Sequence, residues 1–187
     1  MPISISGAGT LNGLALPTDS LSSGLVLITS QEIGSAVQSF TITNVFSSQY
    51  QNYRIVLSGG SASNSSDGNI KLGSTSIGYY NSGVYSNYNG SGPSVYAINN
   101  GVNSGTIWAY NPTAGINLDM VLYQPYEAHR TSWTYSSATQ GGSTNRWSGG
   151  GFLDDDVTQY TSITFQTQGT HTITGGNVRI YGYRNDA

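Results

Sequence analysis

The chain has 187 residues, of which only 8% are charged, against about 25% in an ordinary globular protein. A net charge of −3, the absence of cysteine and six scattered basic residues exclude a disulfide scaffold and leave no electrostatic footprint for nucleic acid. In place of charge stand 25 glycines and 14 tyrosines, with many Ser, Asn and Thr, a composition that favours strands and tight turns over helices.

Residues 1–23 carry no aromatic side chain and set Ile3, Ile5, Leu11, Leu14 and Leu16 among small polar residues. The segment is either an extended arm that docks those five side chains on a neighbouring protein, or an unstructured terminus. Its first residues, Met1-Pro2-Ile3-Ser4-Ile5-Ser6, lack the basic and apolar regions of a signal peptide, which points to a product of the cytoplasm. No apolar run approaches the ~20 residues of a membrane span.

From Gly24 onward the period is two, in one β-rich unit over 24–187. Leu25 to Ile28 form an apolar run suited to a strand buried on both faces. Phe40 and Ile42 alternate with Thr41 and Thr43, and Tyr53, Ile55 and Leu57 alternate with Arg54, Val56 and Ser58. Ile70 and Leu72 flank Lys71, and Ile107 sits between Thr106 and Trp108. Leu118, Met120 and Leu122 oppose Asp119, Val121 and Tyr123, while Trp133 and Tyr135 oppose Ser132 and Thr134. Ile163 and Phe165 flank Thr164, and Val178 and Ile180 are set against Arg179, Tyr181 and Tyr183. Turn signals separate these runs: Gly59-Gly60, Asp67-Gly68, Asn89-Gly90, Asn100-Gly101, Gly141-Gly142, Gly149-Gly150-Gly151 and Gly175-Gly176. About eight to ten strands at this spacing predict an all-β chain, an antiparallel β-sandwich of the jelly-roll kind or a related barrel.

Residues 74–103 are the most biased segment, with tyrosines interleaved among Asn, Ser and Gly. They form either an ordinary Tyr-rich strand pair with a loop, or a recognition surface. Tyr offers rigid contact area at low entropic cost, and its Ser, Gly and Asn neighbours offer adaptable hydrogen bonds. The candidate ligand-binding side chains are Tyr79, Tyr85, Tyr88, Tyr96 and Trp108.

Catalytic patterns are weak. Glu127 and His129 would share one face of a strand, yet no nucleophile elbow accompanies them. Arg130 beside Glu127 reads as a solvated pair or a subunit contact. Asp154-Asp155-Asp156 is the one run of charge, either a solvated turn or a calcium loop, and its spacing fails the EF-hand pattern. There is no phosphate-binding loop and no metal-ligand spacing of His and Cys. No enzyme, cofactor or metal is expected.

The stretch SISGAGTLNGL resembles the Ser/Gly/Thr-rich arms that begin many tailed-phage tail and fibre proteins. FTITNVFSSQYQNYRIVLSGG is similar to a segment of phage virion proteins, particularly of cyanobacterial and marine phages. There an aromatic-apolar strand, a Phe-Ser-Ser-x-Tyr link and an Asn-Tyr-Arg-Ile strand open a β-sandwich. GTHTITGGNVRIYGYRN resembles the final strand of such domains. The likeness covers both ends and about residues 40–60, through motifs that are largely compositional. It implies a virion structural protein, made in the host cytoplasm and assembled as a homotrimer or other symmetric oligomer, and it transfers no catalytic residue. Two virion roles follow. In a tail fibre or receptor-binding protein the arm docks on other virion proteins and the sandwich meets host surface glycan. In a capsid decoration protein the arm locks the head lattice. A bacterial lectin and a polysaccharide-acting enzyme are the readings outside the virion.

Overall fold

Among the described residues strand follows strand with no helix between them. The computed structural model describes residues 24–184 apart from 65–66, 88–91, 109–114, 140–143 and 156. Its elements are β1 (Leu25–Glu32), β2 (Ser39–Ile42), β3 (Asn52–Ser58), β4 (Ser61–Ala62), β5 (Gly68–Leu72), β6 (Tyr79–Asn87) and β7 (Ser94–Val102). They continue with β8 (Gly105–Trp108), β9 (Ile116–Tyr123), β10 (Ser132–Thr139), β11 (Thr144–Leu153), β12 (Ile163–Thr167), β13 (Ile173–Thr174) and β14 (Asn177–Tyr183). A large sheet runs β1-β14-β3-β9-β10-β11-β6-β7 and a small sheet runs β2-β12-β5-β8, all pairs antiparallel. The expected all-β antiparallel sandwich is what forms, with layers of eight and four strands.

One apolar cluster fills the space between the layers. The large sheet contributes Tyr53, Ile55, Leu57, Leu118, Met120, Leu122, Trp133, Val178 and Ile180; the small sheet contributes Ile42, Ile70, Leu72, Ile107, Ile163 and Phe165. These are the inward members of the alternating runs, each contributing on the order of 1.5–3 kcal/mol by burial. The Phe46-to-Tyr53 link is tied down by aromatic edges and by one phenol. Phe46 meets the Tyr53 ring edge-on at 4.7 Å. The Tyr53 hydroxyl donates to the Ser47 carbonyl at 2.9 Å and accepts from the Ser47 N–H at 2.8 Å.

Two turn signals act as a pair. Gly59 and Gly60 (φ 77° and 78°) lie against Gly175 and Gly176 (φ 71° and 93°), where the β3–β4 and β13–β14 connections bend together. Only glycine takes these conformations cheaply.

Three expectations need correction. Gly149-Gly150-Gly151 is no turn but the middle of β11, and Asn100-Gly101 lies inside β7. The reason is close approach: a Cβ on Gly149 would stand 2.4 Å from the Ser82 carbonyl oxygen, and one on Gly151 2.2 Å from that of Tyr80. The β1 run is not buried on both faces. It forms one end of the large sheet, with Val26 and Ile28 against the core and Leu27 52% exposed. Residues 1–23, with Ile3, Ile5, Leu11, Leu14 and Leu16, lie outside the described residues.

Candidate functional site

Of the predicted aromatic residues, Tyr79 and Tyr85 have described side chains, and both lie on the core-facing side of β6. Tyr79 is fully buried, which overturns its assignment to a recognition surface. Its hydroxyl accepts the Leu72 N–H at 2.8 Å and donates to the Thr75 carbonyl at 3.2 Å. Burial pushes this phenol well above the ordinary tyrosine range. Tyr85 is half-buried, packs against the core and stacks on Trp147 with ring centroids 4.7 Å apart. Tyr96 pairs with Gly83, and Trp108 pairs with Gly68, but both side chains lie outside the described residues, as does all of Tyr88.

The aromatic residues that do reach the surface are others. Alternation that turns Tyr79 inward turns Tyr80 outward, and the β6–β11 register sets Tyr80 opposite Phe152. Their rings stack at 4.8 Å with 6° between planes, and Phe152 remains 38% exposed. Beside this pair is a depression of ≈ 520 Å³, lined by Ser82, Ser132, Thr134 and Gly150 among others. Gly150 faces outward with no side chain, so the floor there is backbone. Thr134 is shared with a second depression of ≈ 530 Å³ bounded by Arg54, Asp119, Ser136, Ser148 and Tyr183. Both lie on the outer face of the large sheet. That face also carries Leu27, Val84 and Val95, which are 52%, 46% and 78% exposed.

This face carries the Arg54–Asp119 ion pair and, apart from it, the exposed Arg146 and Arg179. Arg54 Nε and Nη2 donate to the Asp119 carboxylate at 2.9 and 2.6 Å. This bidentate contact holds the Asp119 carboxyl below the usual carboxylate range. The site therefore offers an aromatic shelf, a row of hydroxyls and one neutralised ion pair. Such a surface can pack against the C–H face of a sugar ring and exchange hydrogen bonds with hydroxyls.

Glu127 and His129 sit in a turn after β9, not on a strand, and His129 is exposed. Arg130 pairs with Asp154 at 2.7 Å and not with Glu127. Asp155 accepts the Val157 and Thr158 N–H groups, both at 3.1 Å, and the Tyr160 hydroxyl at 2.8 Å. Burial pushes its carboxyl up, but hydrogen bonds from Thr158, Val157 and Tyr160 outweigh this and leave it below the ordinary value. Asp154 and Asp155 thus serve separate partners, and Asp156 lies outside the described residues. Among the described residues no group of three His, Asp or Glu side chains is placed to hold a metal ion.

Parity is the signal that finds Tyr80 and Phe152. Composition draws attention to the tyrosines as a group, while their faces depend on a register set by the glycine strand β11. No family model, no curated protein and no solved structure matches this chain.

Proposed function

We propose that this chain is a structural component of a tailed-phage virion, a tail-fibre or receptor-binding protein whose large-sheet outer face contacts neutral glycan on the host surface. The observation that carries the glycan half is the exposed Tyr80–Phe152 stack beside the hydroxyl-lined depression. The virion half rests on the resemblance of both chain ends and of residues 40–60 to phage virion proteins. In this reading residues 1–23 attach the domain to other virion proteins and the domain assembles as a homotrimer. Binding without turnover fits the electrostatics of the face. A glycosidase needs one carboxyl kept protonated beside the scissile bond, whereas Asp119 is held ionised by Arg54.

The test is a glycan array probed with the full chain and with Phe152→Ala. Removing a partly exposed phenyl shelf should cost roughly 1.5–3 kcal/mol of affinity, about 10- to 100-fold. Equal binding by parent and variant would place the glycan site elsewhere.

A capsid-decoration role has its own support. Leu27, Val84, Val95 and Phe152 are apolar side chains spread across one sheet face, and such a face suits burial against a protein lattice. Co-sedimentation with empty capsids, together with no signal on the array, would favour that role.

A further inference from the structure

We infer that a second ligand site lies on the small sheet, at the end where β5, β8 and β12 meet, and that it takes a compact polyhydroxylated molecule such as a hexose or an alditol. It is separate from the outer face of the large sheet and does not depend on the reading of that face. Buried polar side chains are costly unless hydrogen-bonded, so where they gather is informative. Among the described residues seven polar side chains are buried, and four of them, Asn69, Ser104, Thr106 and Thr167, line one cavity of ≈ 560 Å³. That volume falls within the range of small-molecule sites.

The floor is pre-organised. Asn69 and Thr106 face each other across the β5–β8 pair, and the Thr106 hydroxyl donates to Asn69 Oδ1 at 3.1 Å. Gln166 stands opposite Asn69 on β12. The rim is braced on two sides. Gln38 Nε2 donates to the Gly169 carbonyl at 2.6 Å, and the Gln168 N–H donates to the Asp67 carbonyl at 3.0 Å. Thr167 donates its hydroxyl to the His171 carbonyl, which fixes the turn behind it.

The lining selects the ligand class. Among the described residues its side chains are amides and hydroxyls, with Asp67 as the one carboxylate and Val102 as the one large apolar group. Among the described residues no basic side chain lines it, so a phosphate or sulfate finds no counter-charge among them. Among the described residues no aromatic ring lines it either, and Val102 alone offers a flat apolar ligand little contact. Amide and hydroxyl groups alternate donors with acceptors, which is what a neutral polyol presents in return.

The experiment is ¹H–¹⁵N NMR titration of the full chain with glucose, galactose and mannitol at millimolar concentrations. Saturable shifts should appear at Asn69, Ser104, Thr106 and Gln166 with at least one of the three probes. Thr106→Val removes the buried donor, and Gln166→Ala removes a half-buried amide at little risk to folding. Each should weaken binding about tenfold or more, while Phe152→Ala leaves it unchanged. If Thr106→Val does not fold, Gln166→Ala decides alone. Binding sensitive only to Phe152→Ala, or no saturable shift with any probe, would overturn the inference. Polyol binding here with no glycan binding on the large sheet would keep this site and remove the outer-face one.

Discussion

Changing Tyr79 to Phe deletes one oxygen from the core and leaves the ring in place against Trp133, 6.2 Å away between centroids. The oxygen carries two hydrogen bonds, one from the Leu72 N–H and one to the Thr75 carbonyl. Leu72 is fully buried, so its N–H loses its partner with no route to solvent. An orphaned buried donor costs roughly 1–3 kcal/mol. For a domain of this size each kcal/mol lowers the melting temperature by about 2–4 °C, so a loss near 2 kcal/mol lowers it by about 4–8 °C. Thermal unfolding followed by circular dichroism reads this directly, and glycan binding measured beside it should match the parent. An unchanged melting temperature together with lost binding would put the phenol in contact with ligand and refute its placement in the core.

Other outcomes follow from the same contacts. Burial raises the Tyr53 and Tyr79 phenols above their ordinary value and pushes Tyr160 up to about 12. Because these folded values exceed the unfolded value near 10, the protonated phenols stabilise the fold below about pH 10. That stability is lost as pH rises toward 12 and beyond; absorbance at 295 nm should show tyrosine ionisation coinciding with unfolding. Gly151→Ala would place a Cβ 2.2 Å from the Tyr80 carbonyl oxygen and 2.6 Å from the Trp133 ring, and should cost about 1–3 kcal/mol or more in urea unfolding. Gly92→Ala, where no described atom lies within 4 Å, is the control and should be neutral or slightly stabilising. Asp155→Ala strips the acceptor from Val157, Thr158 and Tyr160 and should cost roughly 1–2 kcal/mol at neutral pH. Since the Asp155 carboxyl is lowered in the folded chain, the difference between parent and variant should shrink as pH falls below about 4.

Much of the sandwich is visible in the residues themselves, because a half-buried strand writes its burial into alternate positions. Tyr53, Ile55 and Leu57 on β3 and Leu118, Met120 and Leu122 on β9 show the core face without any tertiary information. The alternation fails where a neighbour, not the residue, sets the requirement. Gly149-Gly150-Gly151 resembles a turn, yet these glycines sit in a strand because the carbonyls of β6 and β10 leave no room for a Cβ. The β1 run reads as a doubly buried strand, but among the described residues no second layer covers the outer face of the large sheet over Leu27, and a register shift between Leu27 and Thr29 disturbs its alternation. The site suffers most from this. Tyr79 and Tyr80 are equivalent in composition, and only the pairing of Tyr80 with Phe152 tells which one meets solvent. The polar cavity on the small sheet is harder still to foresee, since Asn69, Thr106 and Gln166 come from three strands far apart along the chain.

The claim that most of the proposed function rests on is that the large sheet presents its outer face to a glycan. Backbone NMR shifts mapped during titration with a neutral oligosaccharide chosen from the array test it most directly. Shifts should concentrate at Tyr80, Ser82, Thr134, Gly150 and Phe152 and saturate together. Saturable shifts confined to other parts of the chain, with these five unmoved, would contradict it.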